Sequence, residues 1–333
     1  MPLIAVEEHF MIPELAQAAQ GFLAGPQARG SGWHEATAAL EEGARQEAGA
    51  RLLDLGEARL AAMDAAGIER QVLLVTTVGN PQMLAAAEGT ELARLANDRL
   101  AEVIAAHPDR FSGLACVAPQ DPHAAAAELE RAINTLGLRG LVINSNISGE
   151  YLDEDRFAPL LEAAAALSAP IYIHPTLLPP DAIRPYLRYG LMAAVWGFAA
   201  EASVHALRLI LSGAFDRFPS LQVVLGHLGE HIPFSLPRID SNHLETKAAA
   251  PSLQRLPSEY FRENFHVTTS GMNLAPASIR FCVDLLGAER VLFAADYPYE
   301  PIELEVQAIK ELALSDRERD LIEHANAERL FRL

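Results

Sequence analysis

GLVINSNISGEYLDEDRFAPLLEAAAALSAPIYIH, Gly140 to His174, decides the fold class. Gly140–Asn144 and Pro170–His174 are short runs rich in β-branched and apolar residues, the composition of strands buried on both faces. Between them, Asp153–Leu167 repeats its apolar residues at the 3.6-residue period of a helix. Strand, helix and strand in immediate succession make a βαβ unit, whose crossover sets the two strands parallel.

Outward from this unit the same alternation recurs in both directions. Further strands are predicted at Leu3–Val6, Gln71–Thr76, Phe111–Val117, Leu221–His227, Phe265–Thr269 and Arg290–Asp296, which brings the total to eight. Helices are predicted at Gly56–Ala66, Gly89–Ala106, His123–Leu136, Glu201–Phe215, Pro276–Leu285 and Ile302–Leu314. The helix after the sixth strand is blurred by Pro233 and Pro237. The count fits an α/β fold, one (β/α)8 TIM barrel spanning residues 1–333, since such barrels reach about 250 residues or more as one domain. Two segments break the alternation, Ile12–Ala50 after the first strand and Pro175–Ala200 after the fifth. Long loops at that end of a barrel build active sites. The second, with Trp196 and Phe198, offers an apolar wall for a ring, so both are candidate substrate-binding residues.

Composition removes several function classes. Acidic side chains outnumber basic ones by 44 to 26, giving a net charge of −18, and no run of basic residues interrupts the surplus. Neither nucleic acid nor an anionic membrane is therefore an expected partner. The two cysteines, Cys116 and Cys282, sit in apolar settings without a CxxC pattern and read as buried thiols in a reducing compartment. No charged leader precedes the first strand and no apolar stretch reaches membrane-spanning length. The cytoplasm is the expected location.

Chemistry is carried by residues at strand ends. Glu7 and His9 are two apart, so strand alternation points both toward the barrel axis. His174 ends the fifth strand and Asp296 the eighth, and barrel strand ends converge on one face. Two imidazoles and two carboxylates suit one divalent ion, Zn2+ or Mn2+, with positions left open for substrate. The only lysines, Lys247 and Lys310, fall at no strand end, which argues against Schiff-base chemistry and against a carbamylated-lysine bridge between two metals. His227 ends the sixth strand and Glu230 follows in the expected first turn of the next helix, where its carboxylate can fix the imidazole tautomer. The same stretch spells H-x-x-E-H, a zinc-protease motif that needs one continuous helix, and Gly226, Gly229 and Pro233 argue against one. Arg238 is a candidate for holding a substrate carboxylate or phenolate, with an ion pair to Asp240 as the plainer alternative. Asn144, closing the fourth strand, is a candidate substrate contact. The remaining histidines, His266 among them, read as structural or exposed.

The segments VEEHF, PDRFSGLACVAPQDP, PIYIHP, LQVVLGHLGEHIPF, ENFHVTTSG and AADYPYE, with others along nearly the whole chain, resemble the amidohydrolase-related metal-dependent decarboxylases. That family includes γ-resorcylate, 2,3-dihydroxybenzoate, 5-carboxyvanillate and aminocarboxymuconate-semialdehyde decarboxylases. The resemblance implies metal-ligand positions for Glu7, His9, His174 and Asp296, a catalytic dyad of His227 and Glu230, and substrate binding for Arg238. The opening E-x-H, in place of the H-x-H of hydrolytic relatives, is similar to the benzoate decarboxylase branch. The implied substrate is a small hydroxylated aromatic acid chelated through its carboxylate and an ortho hydroxyl oxygen. Asp296 is implied to protonate the ring carbon, without oxygen or an organic cofactor, in a homodimer or homotetramer. The alternative is a hydrolase or hydratase that uses a metal-activated water. His231, Pro237 and the segment 24–50 depart from the family pattern.

Overall fold

The computed structural model describes residues 2–28, 31–38, 42–245, 253–271 and 275–333. β1 (Ile4–Phe10), β2 (Arg70–Val75) and β3 (Phe111–Gly113) form one parallel sheet. β4 (Ala115–Cys116), β5 (Leu141–Asn144), β6 (Ile171–His174), β7 (Val223–Leu225), β8 (Phe265–Thr268) and β9 (Val291–Leu292) form a second, in chain order and also parallel. β3 and β4 are halves of one predicted strand, parted at Leu114. The Leu114 N–H donates to the Leu73 carbonyl of β2 at 2.8 Å, whereas the Ala115 N–H turns to Gly140, ahead of β5, also at 2.8 Å. On the opposite side the Val6 N–H donates to the Phe293 carbonyl at 3.1 Å and the His9 N–H to that of Tyr297 at 2.7 Å. Backbone hydrogen bonds thus bridge both seams between the sheets, giving the arrangement of an α/β barrel.

α4 (Glu57–Ala66), α5 (Ala86–Ala106), α6 (Pro122–Asn134), α7 (Ala158–Ala166) and α8 (Gly197–Leu211) follow β1, β2, β4, β5 and β6 respectively, after three earlier helices of the first connection. With helices outside and side chains inside, the strands are buried on both faces, as their uninterrupted apolar runs require. One apolar core runs from Leu3 to Phe331.

Of the boundaries that differ from the sequence reading, three bear on the strand ends and long connections, each for a local reason. β1 extends to Phe10, beyond the predicted Val6, because its C-terminal end pairs on with β2 up to Val75. Glu7 and His9 therefore lie within the strand. β9 is only two residues long, and the buried stretch to Asp296 continues without a ladder of its own while Phe293 bonds to Ile322 (3.0 Å). The segment Ile12–Ala50 is largely helical: α1 (Pro13–Ala24) opens with Pro13 at its first turn, and α2 (Trp33–Ala38) and α3 (Glu42–Leu53) follow. Its Trp33 packs with Leu177, Ile183 and Met192 of the segment after β6, so the two long connections share a second apolar cluster.

Candidate metal centre

Glu7 and His9 alternate on β1 and point inward together, His174 is the last residue of β6, and Asp296 follows β9 at a left-handed φ of 55°. Each offers one ligand atom, and these atoms all lie within 4.8 Å of one another. Glu7 and His9 have no solvent exposure, His174 5% and Asp296 8%. His9 Nε2 stands 2.9 Å from Asp296 Oδ1, and His174 Nε2 stands 3.7 Å from Glu7 Oε1. Yet Glu7 Oε1, both His9 ring nitrogens and Asp296 Oδ1 have no hydrogen-bond partner. A buried polar atom left unpaired costs on the order of 1–3 kcal/mol. Several such atoms within 4.8 Å of one another could hold a cation, and their chemistry fits a single divalent ion.

Surrounding polar groups aim those donors. His174 Nδ1 lies 2.9 Å from the Thr77 hydroxyl and 3.2 Å from Asn144 Oδ1. A proton on Nδ1 satisfies the Asn144 oxygen, and the Nε2 lone pair is then left facing the cluster. Burial, then the neighbouring His9, holds the His174 imidazole well below its usual pKa, in the neutral form that ligates. Asn144 is itself gripped by Gln82, whose Oε1 accepts from the Asn144 N–H at 2.7 Å. Asn144 thus contacts His174 through Oδ1, and its Nδ2 has no partner. Glu7 Oε2 accepts from Thr268 Oγ1 at 2.8 Å and from Ser270 Oγ, which turns Oε1 toward the other donors. Thr77, Thr268 and Ser270 escaped the sequence reading, although all three follow or close strands that neighbour a ligand.

His227 enters from a strained turn. From His227 to His231 five consecutive residues have positive φ, between 48° and 75°, before a right-handed helix begins over Ile232–Glu245 with Pro237 inside it. Glu230 thus precedes the helix, contrary to its predicted place in the first helical turn, and no continuous helix carries the H-x-x-E-H motif. Left-handed backbone costs an L-residue about 1–2 kcal/mol, and such strain is kept where it sets a side chain. Here it folds Glu230 back, so that its Oε1 meets His227 Nδ1 at 2.8 Å. His227 Nε2 then stands 3.6 Å from Asp296 Oδ2 and 3.9 Å from Glu7 Oε1. Gly226 permits this approach, since a Cβ there would lie 3.0 Å from Glu7 Oε1. Burial opposes a charge on His227, but Glu230, Glu7 and Asp296 together raise its pKa well above the usual value. Burial likewise opposes ionised Asp296, and the attraction of the neighbouring His227 and His9 imidazoles outweighs it and holds that carboxyl below the usual range.

An amidohydrolase family model matches residues 33–333. The gamma-resorcylate decarboxylase of Rhizobium sp. (strain MTP-10005) is 37% identical over 339 residues, 99% of this chain and 98% of that protein. The chain belongs to the amidohydrolase family. Among solved structures, the 5-carboxyvanillate decarboxylase of Sphingomonas paucimobilis superposes on this family member with a TM-score of 0.95 at 41% identity, covering 100% of this chain and 99% of that one. The 5-carboxyvanillate decarboxylase of Novosphingobium aromaticivorans, complexed with manganese and 4-hydroxy-3-methoxy-5-nitrobenzoic acid, gives 0.94 at 37% identity, covering 100% and 96%.

The other candidates of this amidohydrolase-family chain are not among the four clustered donors. Trp196 is half exposed and stacks on His231, ring centroids 5.1 Å apart. Phe198 packs against the second apolar cluster. Arg238 is exposed on the helix Ile232–Glu245, and Asp240 is not its partner: Asp240 Oδ1 accepts from the Ser258 N–H at 2.9 Å. Lys310 lies in the last turn of a helix, Ile302–Glu311, whereas Lys247 lies outside the described residues. No helix among the described residues is long and apolar enough to cross a membrane.

Proposed function

We propose that this chain is a divalent-metal-dependent, non-oxidative decarboxylase of hydroxylated aromatic carboxylic acids. The reading is carried by His227, whose Nε2 stands 3.6 Å from Asp296 Oδ2 at the edge of a four-donor cluster while Glu230 holds its Nδ1. An ion held by Glu7, His9, His174 and Asp296 supplies Lewis acidity toward the carboxylate and an adjacent phenolic oxygen. His227 stores the proton. Asp296, ionised at rest, accepts it and passes it to the ring carbon that bears the carboxylate. As that C–H bond forms, the ring loses aromaticity; the C–CO2 bond then breaks, its electron pair restores the ring, and CO2 leaves. Water returns a proton to His227. One proton enters and one CO2 departs, so neither an oxidant nor an organic cofactor is needed.

Manganese is the proposed metal, supported by the ion in the Novosphingobium relative and by the mixed carboxylate and imidazole donors. Arg238, exposed and without an acid partner among the described residues, is proposed to hold a second anionic group of the substrate, with Trp196 and Phe198 on its apolar side. Exposed Phe234 and Phe281, rings 6.4 Å apart, support self-association, and the free buried thiols of Cys116 and Cys282 support a reducing, cytoplasmic setting. The protein loaded with Mn2+ should release CO2 from one or more acids of a panel containing 5-carboxyvanillate, 2,6-dihydroxybenzoate and 2,3-dihydroxybenzoate, followed by the ring absorbance. Turnover of lactones or olefinic acids without CO2 would instead assign His227 to activating water, and inertness toward every acid would overturn the proposal.

A further inference from the structure

The opposite mouth of the barrel holds a second polar site. Residues leading into β6, β7, β8 and β9 enclose a cavity of about 480 Å3 together with the end of α7 and the last residues of the chain. Its charged and polar walls are Arg290, Arg329, Arg332, His266 and Gln222, with Leu221 and Leu330 supplying apolar surface. These groups lie at the N-terminal ends of the strands, whereas Glu7, His9, His174 and Asp296 gather toward the C-terminal ends.

Of the other arginines of this chain with described side chains, ten make ion pairs with carboxylates and nine, Arg238 among them, do not. Among the described residues Arg290, Arg329 and Arg332 make none, although the sequence carries 44 acids against 26 bases. They are held by neutral acceptors instead. Arg290 donates to Gln222 Oε1 at 3.1 Å, Arg329 to Asn326 Oδ1 at 2.8 Å, and Arg332 to the Ser168 carbonyl at 3.0 Å. The one acid in the wall, Glu289, folds back over Gly287, where an added Cβ would stand 2.8 Å from its carboxyl carbon. Burial, then repulsion from Arg329, lowers the Arg290 pKa, and Glu289 and Glu263 only partly offset this. His266 is 4% exposed and its Nδ1 has no partner. Burial and the same two arginines push its imidazole down to about 3, so it is neutral and free to donate or accept. Arg290 and Arg329 without an anion repel each other, and the forked donors of the three arginines lining the cavity match phosphate and carboxylate oxygens.

We propose that this cavity binds a small organic oxyanion, its phosphate or carboxylate head held by Arg290, Arg329, Arg332 and His266 and its apolar body resting on Leu221 and Leu330. The site is independent of the metal centre and of the decarboxylase reading. Calorimetric titration of the metal-loaded full chain with inorganic phosphate, phenyl phosphate and benzoate tests it and tells the two heads apart. Wild-type protein should bind at least one of the three at millimolar concentration or tighter, and Arg329→Gln should weaken that binding by roughly tenfold or more. The Asp296→Asn variant should bind it unchanged, which separates this mouth from the metal face. In 15N-histidine-labelled protein the same anion should move the His266 ring signals. Arg332→Gln, at an exposed position, repeats the test should Arg329→Gln fold poorly. Absence of binding to all three anions, or affinity unaltered in the arginine variants, would overturn the site.

Discussion

Glu7 and Glu8 are neighbours on one strand, neither has any solvent exposure, and their surroundings could hardly differ more. Glu8 points outward and is satisfied: Oε1 accepts from the Ala295 N–H at 2.9 Å and Oε2 from Gln71 Nε2 at 3.0 Å. Arg59, also fully buried, completes that network by donating to Gln71 Oε1 and to the carbonyls of His9 and Asp54 while lying over the Tyr297 ring. Glu7 points inward and keeps one oxygen without a partner beside three other donors. Burial pushes both carboxyls up. The lesson is that burial of a charge does not by itself mark function. An oxygen that the protein leaves unpaired, among others equally unpaired, does.

The inward side should give the largest effect. Asp296→Asn removes the carboxylate proposed to pass a proton from His227 to the ring, and kcat should fall at least about 10³-fold, within the range of a lost general acid. Folding should be intact by circular dichroism. Substantial turnover by a metal-loaded Asp296→Asn protein would remove Asp296 from that role.

On the outward side the loss should appear as stability. Arg59→Met leaves four acceptors unmet and removes the cation that faces buried Glu8, which costs about 3–5 kcal/mol. Glu7→Gln is the matching probe: measured without metal, its melting temperature should be no lower than that of wild type, because it discards a desolvated acid. Chelation should destabilise wild type and leave Glu7→Gln unmoved. If Glu7→Gln destabilises the metal-free protein as much as Arg59→Met does, the distinction between the two carboxylates collapses.

How much of this contrast was legible before the fold depends on range. The βαβ alternation and the four donors could be read because strand burial and strand-end position are local patterns, and Glu7 with His9 needed only a period of two. The outward turn of Glu8 follows from the same period, but its link through Gln71 to Arg59, 51 residues on, is a tertiary fact. The left-handed turn at His227 was hidden because Leu228, Glu230 and His231 carry no sequence preference for positive φ, and propensity there is overridden by packing. Asp296 was placed at a strand end that the ladder never reaches. The arginine cavity was invisible, since Arg290, Arg329 and His266 become neighbours only when the C-terminal helix docks under the barrel.

A third buried carboxylate lies between the two extremes. Glu201 on α8 accepts from Asn146 N–H at 3.2 Å and from its Nδ2 at 2.9 Å, yet burial raises its carboxyl from 4.5 to about 7. Because the folded value lies above the unfolded one, the folded state binds the proton more tightly. Its contribution is complete below pH 4.5 and is lost as pH rises toward about 7. At about 1.4 kcal/mol per unit, the loss is on the order of 3 kcal/mol. Denaturant titrations should show wild type losing that stability relative to Glu201→Gln between pH 5 and pH 8. Parallel curves across the interval would mean that Glu201 ionises in the fold as it does in water.

The finest test addresses aim. Thr77→Val preserves shape near His174 but removes the hydroxyl 2.9 Å from its Nδ1, leaving Asn144 Oδ1 at 3.2 Å as the remaining orienting oxygen. Groups that orient a metal-binding histidine are worth about 10–100-fold in metal affinity. Competition against a fluorescent chelator should therefore place the Mn2+ dissociation constant of Thr77→Val within that range above wild type. At saturating metal kcat should stay within a few-fold, because Thr77 touches neither Asp296 nor His227. Unchanged affinity with a depressed kcat would reverse the assignment and put Thr77 against the substrate. Unchanged values of both would show that Asn144 alone fixes the ring, so that the orphaned donors are aimed by fewer partners than Glu8, at the same depth, requires to be held.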